Sequence, residues 1–139
     1  MPRAVAHRPG GQARAWRAGE PVRIAGYAAI FDAPDRGGDI VRKGAFASAK
    51  AGVPLYWQHD PKRRIGTIES VEEDERGLRI IAALNDATPL KPGHGLSFGY
   101  RVRSARRGTY RELTNLDLIE VSLVEHPMQP LARVLAIEE

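Results

Sequence analysis

Three side chains on separate stretches of this chain have the types that nucleophilic attack on a carbonyl would need: Ser97, His59 and Glu120. Ser97 lies in LSFGYRV, where strand alternation sets Leu96, Phe98, Tyr100 and Val102 on one face and Ser97, Gly99 and Arg101 on the other. A small hydroxyl beside a glycine leaves room for another backbone to approach, as a serine nucleophile requires. A serine on the polar side of a half-buried strand reads the same way, and pattern alone favours that reading. In LDLIEVSLV, alternation sets Leu116, Leu118, Glu120, Ser122 and Val124 on one face and Asp117, Ile119, Val121 and Leu123 on the other. Glu120 therefore has apolar neighbours on both faces, where a carboxylate is costly unless paired. It either faces water from an edge strand or orients a histidine. His59, in LYWQHDP beside Trp57 and Asp60, sits where a strand hands over to a loop. Its ordinary pKa near neutrality suits a general base, and a histidine capping a turn fits equally well. Triads assemble in space rather than in sequence, so the spacing permits one without requiring it.

The other histidines are weaker candidates. His94 precedes Ser97 so closely that only a tight bend would bring them together, His126 follows Val124 and is held in reserve, and His7 falls in the basic N-terminal arm. No metal site is expected. Asp32, Asp35 and Asp39 share a loop but lack calcium-loop spacing, and the histidines form no HExxH. Gly93-His94-Gly95 is not a phosphate loop, since it follows no βα unit, and no cofactor is expected. Without cysteine there is no thiolate ligand, cysteine nucleophile or disulfide scaffold.

The elements that must position these residues read as strands. Val22–Phe31, Val53–Gln58, Ile65–Val71, Leu78–Leu84, Leu96–Arg103, a short run near Tyr110 and Leu116–Val124 give about seven, many rich in β-branched and aromatic residues. EEDERG joins two of them as a hairpin turn, and HDPKRR reads as a polar loop. Residues 44–51 read as a short helix ended by Gly52, and Leu131–Ile137 as a last helical turn. Residues 85–95, with two prolines and two glycines, read as loop. The fold class is mainly β, a barrel-like or sandwich core with one or two peripheral helices. With 139 residues, 42% hydrophobic and 27% charged, the chain suits one globular domain over 21–139, preceded by a basic flexible arm over 1–20. No run reaches the roughly 20 apolar residues of a membrane helix, and the start lacks the apolar stretch of a secretory signal. The net charge of +4 gathers at Arg3, Arg8, Arg14, Arg17 and Arg23, and again at Arg101, Arg103, Arg106, Arg107 and Arg111. A solvated tail and hairpin explain both clusters better than a phosphate-binding surface.

Four ordered segments carry a resemblance that covers residues 22–133: GYAAIFDAPDRGGDIVRKGAF, LYWQHDPKRRIGTI, GLSFGYRV and LDLIEVSLVEHPMQP. Together they resemble the prohead maturation proteases of tailed phages, an enzyme type that gene transfer agents also carry. The resemblance implies a fold similar to the herpesvirus assembly proteases, a β-barrel-like core with peripheral helices. It also implies a serine endopeptidase at work inside the procapsid, in the host cytoplasm. The substrate would be a scaffold or the scaffolding segment of the major capsid protein. His59 of WQHD matches the family's catalytic histidine, Ser97 of GLSFGY its nucleophile, and Glu120 of LIEVSLV the expected third member, with His126 as the fallback. Family members usually carry a helical segment before the serine motif, where this chain has only NDATPLKPGHG. A built-in scaffold in a long C-terminal extension is not expected, so the scaffold is expected to be another chain or part of the capsid protein. A homodimer is compatible with the sequence, and neither a membrane nor nucleic acid is expected as a partner. The competing reading is a non-enzymatic capsid assembly or scaffolding factor of the same fold.

Overall fold

Apolar residues in strand alternation build a single eight-stranded sheet in the computed structural model, which describes residues 22–85 and 94–138. The expected arm and most of the expected 85–95 loop lie outside those residues. The strands are β1 (Val22–Ile30), β2 (Asp39–Val41), β3 (Pro54–Trp57), β4 (Asp60–Glu73), β5 (Gly77–Leu84), β6 (Gly95–Arg106), β7 (Arg111–Val124) and β8 (Val134–Glu138). Their order is β2-β7-β3-β4-β5-β1-β8, with β6 paired to β7 off that path. The regular ladder is not closed. Single bridges, Phe31 to Val41 and Gly95 to Arg133, reach across from β1 to β2 and from β6 to the segment before β8. Inside the resulting curve lies one core that includes Ile24, Leu55, Ile68, Ile80, Leu96, Leu116, Val121 and Leu123, all essentially inaccessible. Among the described residues no helix is long and apolar enough to cross a membrane.

The β architecture is as expected, and the departures have local causes. Residues 44–49 form successive turns rather than a helix, because their amides bond three residues back: Ala45 to Arg42, Ala47 to Gly44 and Ala49 to Phe46. The Glu73 carboxylate takes the Gly44 and Phe46 amides at 2.7 and 2.8 Å, which leaves Ala45 and Phe46 buried in the core. Residues 134–138 are strand, not helix, because the chain lies antiparallel along the free edge of β1. Its exposure alternates accordingly, with Ala132 and Val134 buried and Leu131 and Leu135 exposed. HDPKRR is not a loop either: β4 begins at Asp60 and pairs back on β3.

A bulge on β7 fixes the faces near the candidate residues. Gly99 stands opposite Glu120, but Tyr100 stands opposite Leu118, so Ile119 is the extra residue. The alternation read from the sequence breaks at that point. Leu116 and Leu118 lie on the same side as Val121 and Leu123, not with Glu120 and Ser122. The core face of this strand pair therefore carries Leu96, Phe98, Val121 and Leu123. The opposite face carries Ser97, Gly99, Glu120 and Ser122. Phe98 fixes the core side by packing edge-on against Phe46, with ring centroids 5.2 Å apart.

Candidate active site

His59 reaches the site on a two-residue turn. Trp57 of β3 pairs with Asp60 of β4, which leaves Gln58 and His59 as the loop. Both have left-handed backbones, with φ of 52° and 60°. That is the geometry of a tight hairpin turn usually filled by Asn-Gly, because side chains other than glycine are strained there by about 1–2 kcal/mol each. Bonds to β7 and the residue after it hold the turn in place. The Gln58 amide donates to Leu123 O at 3.0 Å, the His59 amide donates to Ser122 Oγ at 3.1 Å, and the Glu125 amide donates to Gln58 Oε1 at 3.1 Å. Trp57, just before the turn, packs against the His94 ring at 6.2 Å and lies under the Arg63 guanidinium at 5.8 Å.

Parallel pairing of β3 with β7, Trp57 opposite Leu123, brings this turn over the polar face of the β6–β7 pair. There the His59 imidazole meets Glu120, with Nδ1 2.6 Å from Oε1. Glu120 is 7% exposed, so its carboxylate needs partners. It has a second one in Ser122, whose hydroxyl donates to Oε2 at 2.7 Å. Ser97 stands directly opposite Ser122 on the same face and is 8% exposed. No hydrogen bond joins the Ser97 hydroxyl to His59 among the described residues. His126 is exposed beyond β7, and among the described residues no hydrogen bond or ion pair joins it to His59 or Glu120.

Gly99 has a definite steric role here. A Cβ at that position would stand 3.0 Å from both Cδ and Cγ of Glu120 and closer still to Oε1. The space that the sequence suggests for an approaching backbone is thus taken by the Glu120 side chain. The hydrogen bond to Glu120 raises the His59 pKa above its ordinary value, partial burial of the ring opposes this, and the negative charge of Glu120 adds to the rise. A carboxylate at Nδ1 also selects the tautomer with its proton on Nδ1, so Nε2 is left as the acceptor. Sequence reasoning missed Ser122 as part of this cluster. The signal was present in its place two residues after Glu120 on the same strand face, a polar pair set between Val121 and Leu123.

Comparison with known proteins first defines the class of fold. The structure of KSHV protease in complex with a hexapeptide phosphonate inhibitor matches over 79% of this chain and 62% of its own, with a TM-score of 0.53 and 12% identity. Varicella-zoster virus protease matches over 71% and 58%, with a TM-score of 0.44 and 15% identity. The first of these matches gives the chain the fold of a herpesvirus protease. Residues 12–139 match the family described as caudovirus prohead serine protease, and the chain belongs to that family. The prohead protease of Enterobacteria phage HK97 is 35% identical over 74 residues, a stretch that covers 50% of this chain but only 30% of that protein.

Proposed function

We propose that this chain is a serine endopeptidase of procapsid maturation, cutting a scaffold or the N-terminal segment of the major capsid protein inside the procapsid, in the host cytoplasm. Ser97 is the nucleophile, His59 the general base and acid, and Glu120 the residue that orients the imidazole. One observation carries this reading: the 2.6 Å contact of His59 Nδ1 with Glu120, on the sheet face that also bears Ser97, in a chain of a serine protease family.

The chemistry follows from those positions. A serine hydroxyl is a weak nucleophile until a base takes its proton. With the Nδ1 proton donated to Glu120, His59 Nε2 accepts the Ser97 proton as Oγ bonds to the scissile carbonyl carbon. The carboxylate then stabilises the imidazolium without taking its proton. His59 passes that proton to the departing amine as the C–N bond breaks, which leaves Ser97 acylated. Water, deprotonated by the same nitrogen, bonds to the acyl carbon, and His59 returns the proton to Ser97 Oγ as the Oγ–carbon bond breaks and the acid leaves. The Ser97–His59 hydrogen bond belongs to the substrate complex, since catalytic hydrogen bonds are often long in the free enzyme and tighten only when substrate binds.

The test is co-expression with the capsid protein, read by its change in mass. Ser97→Ala is expected to abolish processing while the circular dichroism of the sheet stays as in wild type. A fluorophosphonate should label the wild-type chain and not the variant. Processing by Ser97→Ala would remove Ser97 from the mechanism. Processing by neither chain, with no labelling, would favour a non-enzymatic assembly factor of the same fold.

A further inference from the structure

Ser122 is the one hydroxyl of the cluster with no access to solvent, at 0% exposure, between Val121 and Leu123, which are equally buried. Its single proton goes to Glu120 Oε2, and an oxygen lone pair takes the His59 amide. Burial and that donated bond exclude it as a nucleophile. Its two bonds complete a ring of contacts: His59 amide to Ser122 Oγ, Ser122 to Glu120 Oε2, and Glu120 Oε1 to His59 Nδ1. One buried atom therefore fixes the backbone of the imidazole and the carboxylate that meets it. The backbone it holds is the left-handed one, which persists only where its surroundings over-determine it.

We propose that Ser122 is a positioning residue that locks the His59 turn and the Glu120 carboxylate into one geometry. Its effect on catalysis rests on the serine protease reading above, while its effect on His59 does not. A buried aliphatic side chain would fill the space, but it would leave the His59 amide without its acceptor and Oε2 without its donor. Both ends of the His59–Glu120 contact would then be free to drift, and a displacement of about 1 Å in such a constellation can cost roughly 100-fold in rate.

The experiment uses the whole chain and compares Ser122→Ala, Ser122→Thr and Ser122→Cys. Two quantities are read: the rate of Ser97 labelling by a fluorophosphonate, and the titration of the His59 imidazole by NMR. Alanine is expected to slow labelling by about 10- to 100-fold and to move the His59 midpoint down toward the ordinary value near 6.5. Threonine keeps the hydroxyl and restores both. Cysteine, close in size but a weak hydrogen bonder, follows alanine and serves in its place should alanine not fold. A His59 midpoint unchanged or raised in the alanine and cysteine variants, with labelling at the wild-type rate, would overturn the proposal. A midpoint that falls as expected, in a chain whose Ser97 never labels even in wild type, would support Ser122 as the lock on His59 and overturn the serine protease reading instead.

Discussion

Gly99→Ala tests whether the free space beside Glu120 is required. The added methyl would lie 3.0 Å from Cδ and Cγ of Glu120 and nearer still to Oε1, whereas comfortable non-bonded separations are about 3.5–4.0 Å. The carboxylate must therefore retreat by something near 1 Å. It is the movable end of a side chain, so the steric clash alone is relieved cheaply. The cost lies in what the carboxylate leaves behind. A 2.6 Å contact to His59 and a 2.7 Å bond from Ser122 would both stretch past about 3.5 Å, beyond useful hydrogen-bond length. Each bond to a charged group is worth roughly 1.5–3 kcal/mol, so part of that is lost from stability. The larger effect falls on rate, on the order of 100-fold for a misplacement of this size. Cleavage of co-expressed capsid protein and fluorophosphonate labelling would report the rate, and chemical denaturation the stability. The His59 midpoint should fall with the lost contact, since the bond to Glu120 is what raises it. A variant with wild-type labelling and an unmoved His59 titration would refute the claim that Gly99 makes room for the carboxylate.

Glu120→Gln should lower the rate at least 100-fold, the scale of general-base catalysis, and shift the acid limb of the pH–rate profile. The base works only when neutral, and its folded pKa is raised, so the wild-type limb lies above pH 6.5 and the variant's moves down toward it. An acid limb at the same pH in both would separate Glu120 from His59. Because the folded pKa is raised, the stability that the pair contributes is complete below the unfolded value near 6.5 and is lost as pH climbs through the folded value. The stability gap between wild type and Glu120→Gln should therefore be wider at pH 6 than at pH 9, as denaturation midpoints would record. Gly77→Ala makes the complementary case in the scaffold. A Cβ there would overlap the Ala29 carbonyl oxygen and come within 3.0 Å of its carbon, backbone that cannot swing aside. It should destabilise the β1–β5 ladder by about 1–3 kcal/mol or more, the cost of overpacking, while the folded fraction keeps its His59 titration. An unchanged denaturation midpoint would contradict it.

How much of this was legible in the sequence depended on whether the signal was local. β1, β5 and the β4–β5 turn could be read directly, because runs of apolar, β-branched and aromatic residues and an acid-rich turn ending in Gly77 are local patterns. Asp74 takes the Arg76 and Gly77 amides at 2.8 and 3.1 Å, as such a turn residue should. The 44–51 segment closes as three-residue turns instead of a helix, tied at the Gly44 and Phe46 amides to Glu73, a residue far along the chain that a local pattern does not reveal. β8 was hidden because its strand character comes from pairing with the edge of β1. The types of the site residues were legible, but their meeting was not. It depends on an Ile119 bulge and on parallel pairing of β3 with β7, and neither leaves a mark within a single strand. Period-2 reading carried past Ile119 set Leu116 and Leu118 on the side of Glu120, a one-residue slip of the kind that reverses every face assignment beyond it.

The site divides its work between a rigid part and a strained one. Ser97, Glu120 and Ser122 stand on two long paired strands whose other face is core, so their spacing is set by the ladder and resists change. His59 has no such support from its own backbone. Gln58 and His59 occupy conformations that cost energy, and the turn keeps them only through the bonds it makes to Leu123, Ser122 and Glu125. An Asn-Gly turn would be more stable, but it would carry no imidazole. Strain is thus accepted where the imidazole stands and is held by the strand that also bears the carboxylate it meets. The turn that presents His59 and the strand that bears Glu120 cannot then move independently: a local opening that frees the turn from β7 parts His59 from Glu120 in the same event. Restraint of this kind gives Glu120 and Ser122 a common fate, and it makes the His59 titration a direct reading of whether the site is assembled.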